Sequence, residues 1–182
     1  MIDSTKKQRF QASVLPHLNS AFNLACWLTR SRQDAEDVVQ EAYLRAFKFF
    51  DGFHGDDSRA WLLTIVRNTF YTWYQDQQKQ RQQTVLDDDA QIFQTGDGLD
   101  MAAADNNPET LLMQKDSARQ LRQALQALPL EFREVMVMRE LEELSYKQIA
   151  AIVGIPIGTV MSRLGRGRKL LATILAPARQ EA

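Results

Sequence analysis

The chain has 182 residues, 45% of them hydrophobic and 25% charged, which suits one ordinary folded domain or two small ones. Its 22 Lys and Arg against 23 Asp and Glu leave a net charge of −1, excluding the strongly basic profile of a free-standing nucleic-acid binder. A single cysteine, Cys26, excludes an internal disulfide, and no apolar run approaches the ~20 residues that cross a bilayer. The polar N-terminus MIDSTKKQRF lacks an apolar signal core, so the expectation is a cytoplasmic protein without membrane insertion.

Helical periodicity dominates and no useful strand alternation appears, so the fold class expected is all-α. A first helix is expected over about Leu15 to Thr29. A second runs from about Gln33 to Phe50, with Asp34 and Glu36 at the positive end of its dipole. On it, Val38, Ala42, Ala46 and Phe49 form the core stripe, whereas Asp37, Gln40, Glu41 and Leu44 make an acidic outer face carrying an exposed leucine. A third runs from about Ser58, as N-cap, to Gln80. It is expected to bury Leu62, Ile65, Val66, Thr69 and Trp73 and to turn Thr64, Arg67, Asn68 and Tyr71 outward.

Composition then shifts. Thr84 to Thr110 holds seven acidic residues and no Lys or Arg, with Gly96, Gly98 and Asn106-Asn107-Pro108 as helix breakers. This reads as a flexible acidic linker over 83–110, with transient helix near Met101 to Ala104, between two small helical domains at 1–82 and 111–182. Helices resume near Pro108 and continue to about Ala127, then over Pro129 to Leu141, Ser145 to Val153 and Ile157 to Leu175.

The last two helices have the form of a helix-turn-helix. Ser145 is placed to cap the first, with Ile149 and Ile152 facing the core. Gly154 supplies the left-handed residue that ends it, and Pro156 prepares the next start. At about 100° per residue, Val160, Leu164 and Leu171 form one stripe, and Thr159, Ser162, Arg163, Arg166 and Lys169 lie opposite. Five basic residues and no acid fall between Gly158 and Gln180. Short polar groups and Arg forks near such a helix start read base edges in a major groove, and later Lys and Arg neutralise phosphate. Gly165 and Gly167 are unusual inside a helix, each costing about 0.8–1 kcal/mol of propensity; close approach to DNA or to a protein partner is one explanation.

Three ordered segments carry a resemblance. Asp34-Ala35-Glu36-Asp37-Val38-Val39-Gln40-Glu41-Ala42 with Leu44-Arg45-Ala46-Phe47 resembles the polymerase-binding segment of bacterial sigma factors. Trp61-Leu62-Leu63-Thr64-Ile65-Val66-Arg67-Asn68 resembles their downstream-promoter helix, and Leu125 to Leu171, centred on Gly158 to Leu164, their upstream-promoter domain. The layout without a large middle domain looks like the extracytoplasmic-function (ECF) group.

The resemblance implies that Asp37, Gln40, Glu41 and Leu44 bind a basic coiled coil on core RNA polymerase, where charge complementarity fixes register. It implies that Phe53, His54, Asp56, Ser58, Trp61, Arg67, Asn68 and Tyr71 open the −10 promoter DNA and hold an extruded base, with Phe53 and Trp61 available for stacking. Tyr146, Lys147, Thr159, Met161, Ser162, Arg163, Arg166, Arg168 and Lys169 would contact the −35 element. Met161 stands where the family often has Lys or Arg, and Phe70 to Gln78 is aromatic and glutamine-rich where the family often has a basic cluster. An anti-sigma protein is the expected inhibitory partner.

His17 and His54 lie apart with no further ligand at metal spacing, and there is no phosphate loop or nucleophile–base pair. No metal, cofactor or catalytic residue is expected. The rival reading, from the helix-turn-helix alone, is a dimeric transcriptional regulator whose N-terminal bundle is a sensor or dimerisation domain.

Overall fold

A computed structural model of the chain describes residues 2–84 and 108–176. The bulk of the acidic linker, the helix expected near Met101 to Ala104, and Arg179 lie outside the described residues. Among the described residues there are eight α-helices and no strand.

The N-terminal half contains α1 (Ile2–Val14), α2 (Leu18–Thr29), α3 (Arg32–Phe49) and α4 (Ser58–Thr84). Arg30 takes a left-handed conformation (φ 60°) and its N–H donates to Cys26 O at 3.0 Å, ending α2. Ser31 then caps α3, its Oγ accepting from Asp34 N. Leu24 and Leu28, Val38, Ala42 and Ala46, and Leu62, Val66 and Phe70 bury the facing stripes of α2, α3 and α4. Alanines on α3 let its two neighbours approach closely.

Four expectations need correction here. Helix α1 was not anticipated, because among its described side chains only Phe10 and Val14 are buried along a largely polar length. Phe10 lies edge-on to Tyr43, Phe47 and Phe50, with ring centroids at 6.1, 5.2 and 5.3 Å. The expected start at Leu15 is instead a 3₁₀ turn over Leu15–His17 containing Pro16, which has no N–H for a helical ladder. Phe49 is 58% exposed rather than in the core. The chain tightens into a 3₁₀ turn at Phe50–Gly52, and Phe50 takes the inward place. The cap of α4 is Asp57, whose Oδ1 accepts from Ala60 N at 2.9 Å, and Ser58 is the first helical residue.

The C-terminal half contains α5 (Pro108–Ala127), α6 (Leu130–Met136), α7 (Tyr146–Val153) and α8 (Ile157–Leu175), with a wide π turn over Val137–Leu141 after α6. Ser145 and Gln148 form a reciprocal capping box at the start of α7. Gly154 (φ 75°) ends it and Pro156 precedes α8. The two helices bend by 101°, within the range of a helix-turn-helix. Among the described residues no single helix is long and apolar enough to cross a membrane. Val160 and Leu164 anchor α8 over Val135, Ile149 and Ile152. Gly167 is buried because a Cβ there would lie 3.0 Å from Met136 Cγ; the close approach is to α6, within the chain. Gly165 faces open space, and nothing in the structure accounts for it.

The halves also touch directly: α6 packs on α2 and α7 on α4. The tether is therefore not their sole connection.

Candidate nucleic-acid interface

The expected acidic face of α3 is present. Asp37, Gln40 and Glu41 are exposed and Leu44 is 68% exposed, while Val38, Ala42 and Ala46 point inward. Glu41 accepts from Arg45 Nε at 2.8 Å, a solvent-exposed i,i+4 pair worth about 0.3–0.5 kcal/mol. An open apolar groove lined by Leu18, Phe22, Val39, Tyr43 and Leu44 adjoins this face, with Gln40 and Glu36 at its edge.

The loop before α4 sits on aromatic stacking. Phe53 and Trp61 lie 4.6 Å apart at 30°, and both lean on Phe50. Each is half-buried, so both keep exposed ring surface. His54 and Asp56 are exposed beside them, and Ser58 Oγ shares a hydrogen bond with His17 Nε2 at 3.2 Å. Asp57 sits below the usual carboxylate range, held chiefly by the Ala60 N–H and also by Gln148, whose Nε2 donates to it at 2.7 Å.

Along α4, Leu62, Val66 and Thr69 are buried and Ile65 and Trp73 partly so; Leu63 and Phe70 are buried as well, although not anticipated. Asn68 is exposed as expected. Arg67 and Tyr71 are not turned to solvent. The Arg67 guanidinium grips Glu134 of α6, with Nε donating to Oε2 at 2.8 Å and Nη2 to Oε1 at 3.2 Å. The Tyr71 hydroxyl donates to the same carboxylate at 3.2 Å, and Arg67 lies 4.4 Å over the Tyr71 ring. Burial alone pulls the Arg67 pKa down, but the hydrogen bond and charge of Glu134 outweigh it and the value is raised. Burial, then the charge of Glu134, pushes the Tyr71 hydroxyl up to about 12. The phase argument correctly kept both residues out of their own core, but a second domain covers them.

On α7 and α8, Lys147, Met161, Ser162, Arg166, Arg168 and Lys169 are exposed. Thr159 and Tyr146 are half-buried, the latter beneath Arg139 at 4.9 Å. Arg168 pairs with Glu140 at 2.8 Å. Arg163 is drawn inward, its guanidinium 3.7 Å from both Glu131 and Glu134. The helix-turn-helix thus offers a solvent-facing strip of Met161, Ser162, Arg166 and Lys169 on a rigid apolar footing. Such a strip suits base edges and phosphates.

Sequence reasoning missed the charges at the contact between the halves. Glu142, 6% exposed at its side chain, accepts from Arg59 Nη2 at 2.6 Å and from Asn23 Nδ2. Buried Arg133 donates to the carbonyls of Gln126, Leu128 and, across the contact, Leu28. Burial, then Arg30, pulls its pKa down to about 10, so it is still cationic at neutral pH. The available signal was Arg133-Glu134 beside the apolar run Val135 to Met138, where two adjacent charges enter a buried helix. Among the described residues no group of His, Cys, Asp or Glu is arranged to hold a metal ion.

Two family models match. Residues 14–80 fit Sigma-70 region 2 and residues 118–171 fit Sigma-70, region 4. The ECF RNA polymerase sigma factor SigE of Mycolicibacterium smegmatis is 32% identical over 163 residues, 90% of this chain and 60% of that protein. This chain therefore spans less than two thirds of that relative. The ECF RNA polymerase sigma-E factor of Escherichia coli K12 is 34% identical over 146 residues, 79% of this chain and 75% of that one. Among solved structures, the sigma factor RpoE of Bartonella quintana, in complex with the anti-sigma factor NepR, aligns with a TM-score of 0.75 and 27% identity, covering 94% of this chain and 99% of that one.

Proposed function

Because the chain belongs to the extracytoplasmic-function group of bacterial sigma-70 factors, we propose that it joins core RNA polymerase in the cytoplasm and directs promoter-specific initiation as a non-catalytic specificity subunit. Residues 1–82 would bind polymerase and the −10 element, and 111–182 the −35 element. The observation that carries this reading is the helix-turn-helix, where α8 turns Met161, Ser162, Arg166 and Lys169 to solvent over buried Val160 and Leu164. The acidic, leucine-bearing face of α3 supports polymerase docking, since exposed carboxylates complement a basic coiled coil. Phe53 and Trp61 would stack on an extruded base, flanked by His54, Asp56, Ser58 and Asn68, with Arg67 and Tyr71 joining once released from Glu134. The near-neutral net charge keeps the factor alone a weak DNA binder until polymerase joins it. The Bartonella structure holds a sigma factor with an anti-sigma factor, and a protein of that kind is the proposed inhibitor here.

The test is reconstitution. The chain is expected to co-elute with core polymerase and to give run-off transcripts from promoters selected by the reconstituted holoenzyme. Asp37→Lys with Glu41→Lys is expected to abolish co-elution while the fold is retained, the loss of the exposed Glu41–Arg45 pair lowering the melting temperature by no more than about 2–4 °C. Absence of co-elution by the parent chain, with tight palindrome binding by a free dimer, would overturn the reading in favour of a dimeric regulator.

A further inference from the structure

The exposed start of α8 mixes two chemistries. Ile157 and Met161, 44% and 54% exposed, stand one turn apart on one flank of the helix. Ser162 faces outward beside them, and Arg166 takes the other flank. Arg168, on the apolar flank, is engaged by Glu140 at 2.8 Å. One turn after Met161 comes Gly165, whose missing side chain no contact within the chain requires, since a Cβ there would meet nothing within 4 Å.

We propose that Met161, backed by Ile157, reads the C5-methyl group of a thymine in the upstream element, and that Gly165 keeps the Met161 side chain bare for that contact. The inference rests on the promoter-reading assignment of α8 made above and adds the base chemistry that it recognises. Of the four bases, only thymine presents a methyl group in the major groove. An apolar side chain pressed against guanine O6 or the cytosine amino group leaves that polar atom without a partner. Against the thymine methyl it removes two apolar surfaces from water instead. Methionine suits the contact because its unbranched, polarisable side chain adapts to a small target. A single exposed apolar residue is ordinary on a protein surface. Here two adjoin at the beginning of the recognition helix, where side chains reach base edges, and not further along beside Lys169, where phosphate is met.

Gly165 supplies the second argument. A helical side chain leans toward the N-terminus and lies over the residue four positions earlier, so a side chain at 165 would cover Met161. Any good helix former at this exposed place would favour α8 more than glycine does. Glycine instead leaves the thioether open to an incoming base edge.

The test uses promoters selected by the reconstituted holoenzyme. Each thymine of the upstream element is replaced singly by uracil, which removes the methyl group and leaves every hydrogen-bonding atom in place. Equilibrium binding of the holoenzyme is expected to weaken about fourfold at one such position, the effect of one lost methyl contact. In Met161→Gln, of similar reach with a polar end, that uracil should bring no further loss, whereas Met161→Leu should keep the penalty. Gly165→Gln should raise the melting temperature of the chain while abolishing the uracil penalty, a split that a merely structural glycine does not give. An upstream element without thymine, or a uracil penalty that persists in Met161→Gln, would overturn the assignment. Weakened polymerase co-elution of Met161→Gln with promoter discrimination intact would overturn it as well, because the residue would then face protein. Loss of co-elution and run-off by the parent chain marks failure of the sigma reading, and the thymine assignment falls with it. Normal co-elution and run-off with no uracil effect marks failure of the thymine assignment alone.

Discussion

Three glycines in the helix-turn-helix should respond differently to alanine, because the structure gives each a different reason to be there. Gly154 sits at φ 75° and ψ 38°, and a Cβ there would meet nothing within 4 Å. The cost of Gly154→Ala is therefore backbone strain alone, about 1–2 kcal/mol for an L residue forced into the left-handed region. Gly154→Asn should cost less, since Asn visits that region more readily. Gly165 is an exposed residue inside α8, also with nothing within 4 Å and without a positive φ, so Gly165→Ala should gain about 0.8–1 kcal/mol of helix propensity. Gly167→Ala earns the same propensity but drives a Cβ to 3.0 Å from Met136 Cγ and 3.4 Å from Phe132 Cβ, so it should fall between the other two. At roughly 2–4 °C per kcal/mol for a chain of this size, thermal unfolding followed by circular dichroism should place Gly154→Ala roughly 2–8 °C below the parent and Gly165→Ala roughly 2–4 °C above it. Equal melting temperatures for Gly154→Ala and the parent, or a larger loss for Asn than for Ala at 154, would refute the left-handed turn as the reason for this glycine.

Two other outcomes follow from local geometry. Ser145→Ala removes the acceptor for Gln148 N and half of the capping box, so unfolding free energy by urea titration should fall by about 0.5–2 kcal/mol while Thr173→Ala, at an exposed position, stays near parent stability. Burial raises the Cys26 thiol pKa above its ordinary value, the charge of Arg32 only partly opposing this; less thiolate is present at any given pH, and labelling at pH 8 should be slow in the native chain and rapid in urea.

What could be read from the sequence is what local chemistry specifies. Ser145, Gln148, Gly154 and Pro156 each set a backbone event within a few residues of themselves, and the helix-turn-helix emerged with the expected bounds for α8. The outer face of α3 was legible for a related reason, because its phase runs unbroken over Asp37 to Leu44. Phe49 went astray because the helical period it was judged by stops there: the following 3₁₀ turn rotates Phe50 into the core. Helix α1 was missed because two apolar side chains suffice once Tyr43, Phe47 and Phe50 surround Phe10, and those neighbours are more than thirty residues away. Gly167 belongs to the same class, since Met136 and Phe132 are what it makes room for.

Arg67 marks where phase reasoning stops. Helical periodicity separates the side chains that fill their own core from those that do not, and it placed Arg67, Asn68 and Tyr71 correctly on the second side. It carries no information on what covers that side. Asn68 meets solvent, whereas Arg67 one residue earlier meets Glu134, sixty-seven positions away. A carboxylate and a phosphate ask the same of a guanidinium, namely two parallel acceptors in its plane, so a residue suited to DNA is equally suited to an internal acidic substitute. The discriminating sign lies in the partner: Glu134 is charged, on a helix whose following residues Val135 to Met138 are all buried, and a carboxylate in that setting requires a cation supplied from elsewhere in the fold. Arg67 supplies it from the other half of the chain, so a side chain expected to face DNA instead joins the two halves.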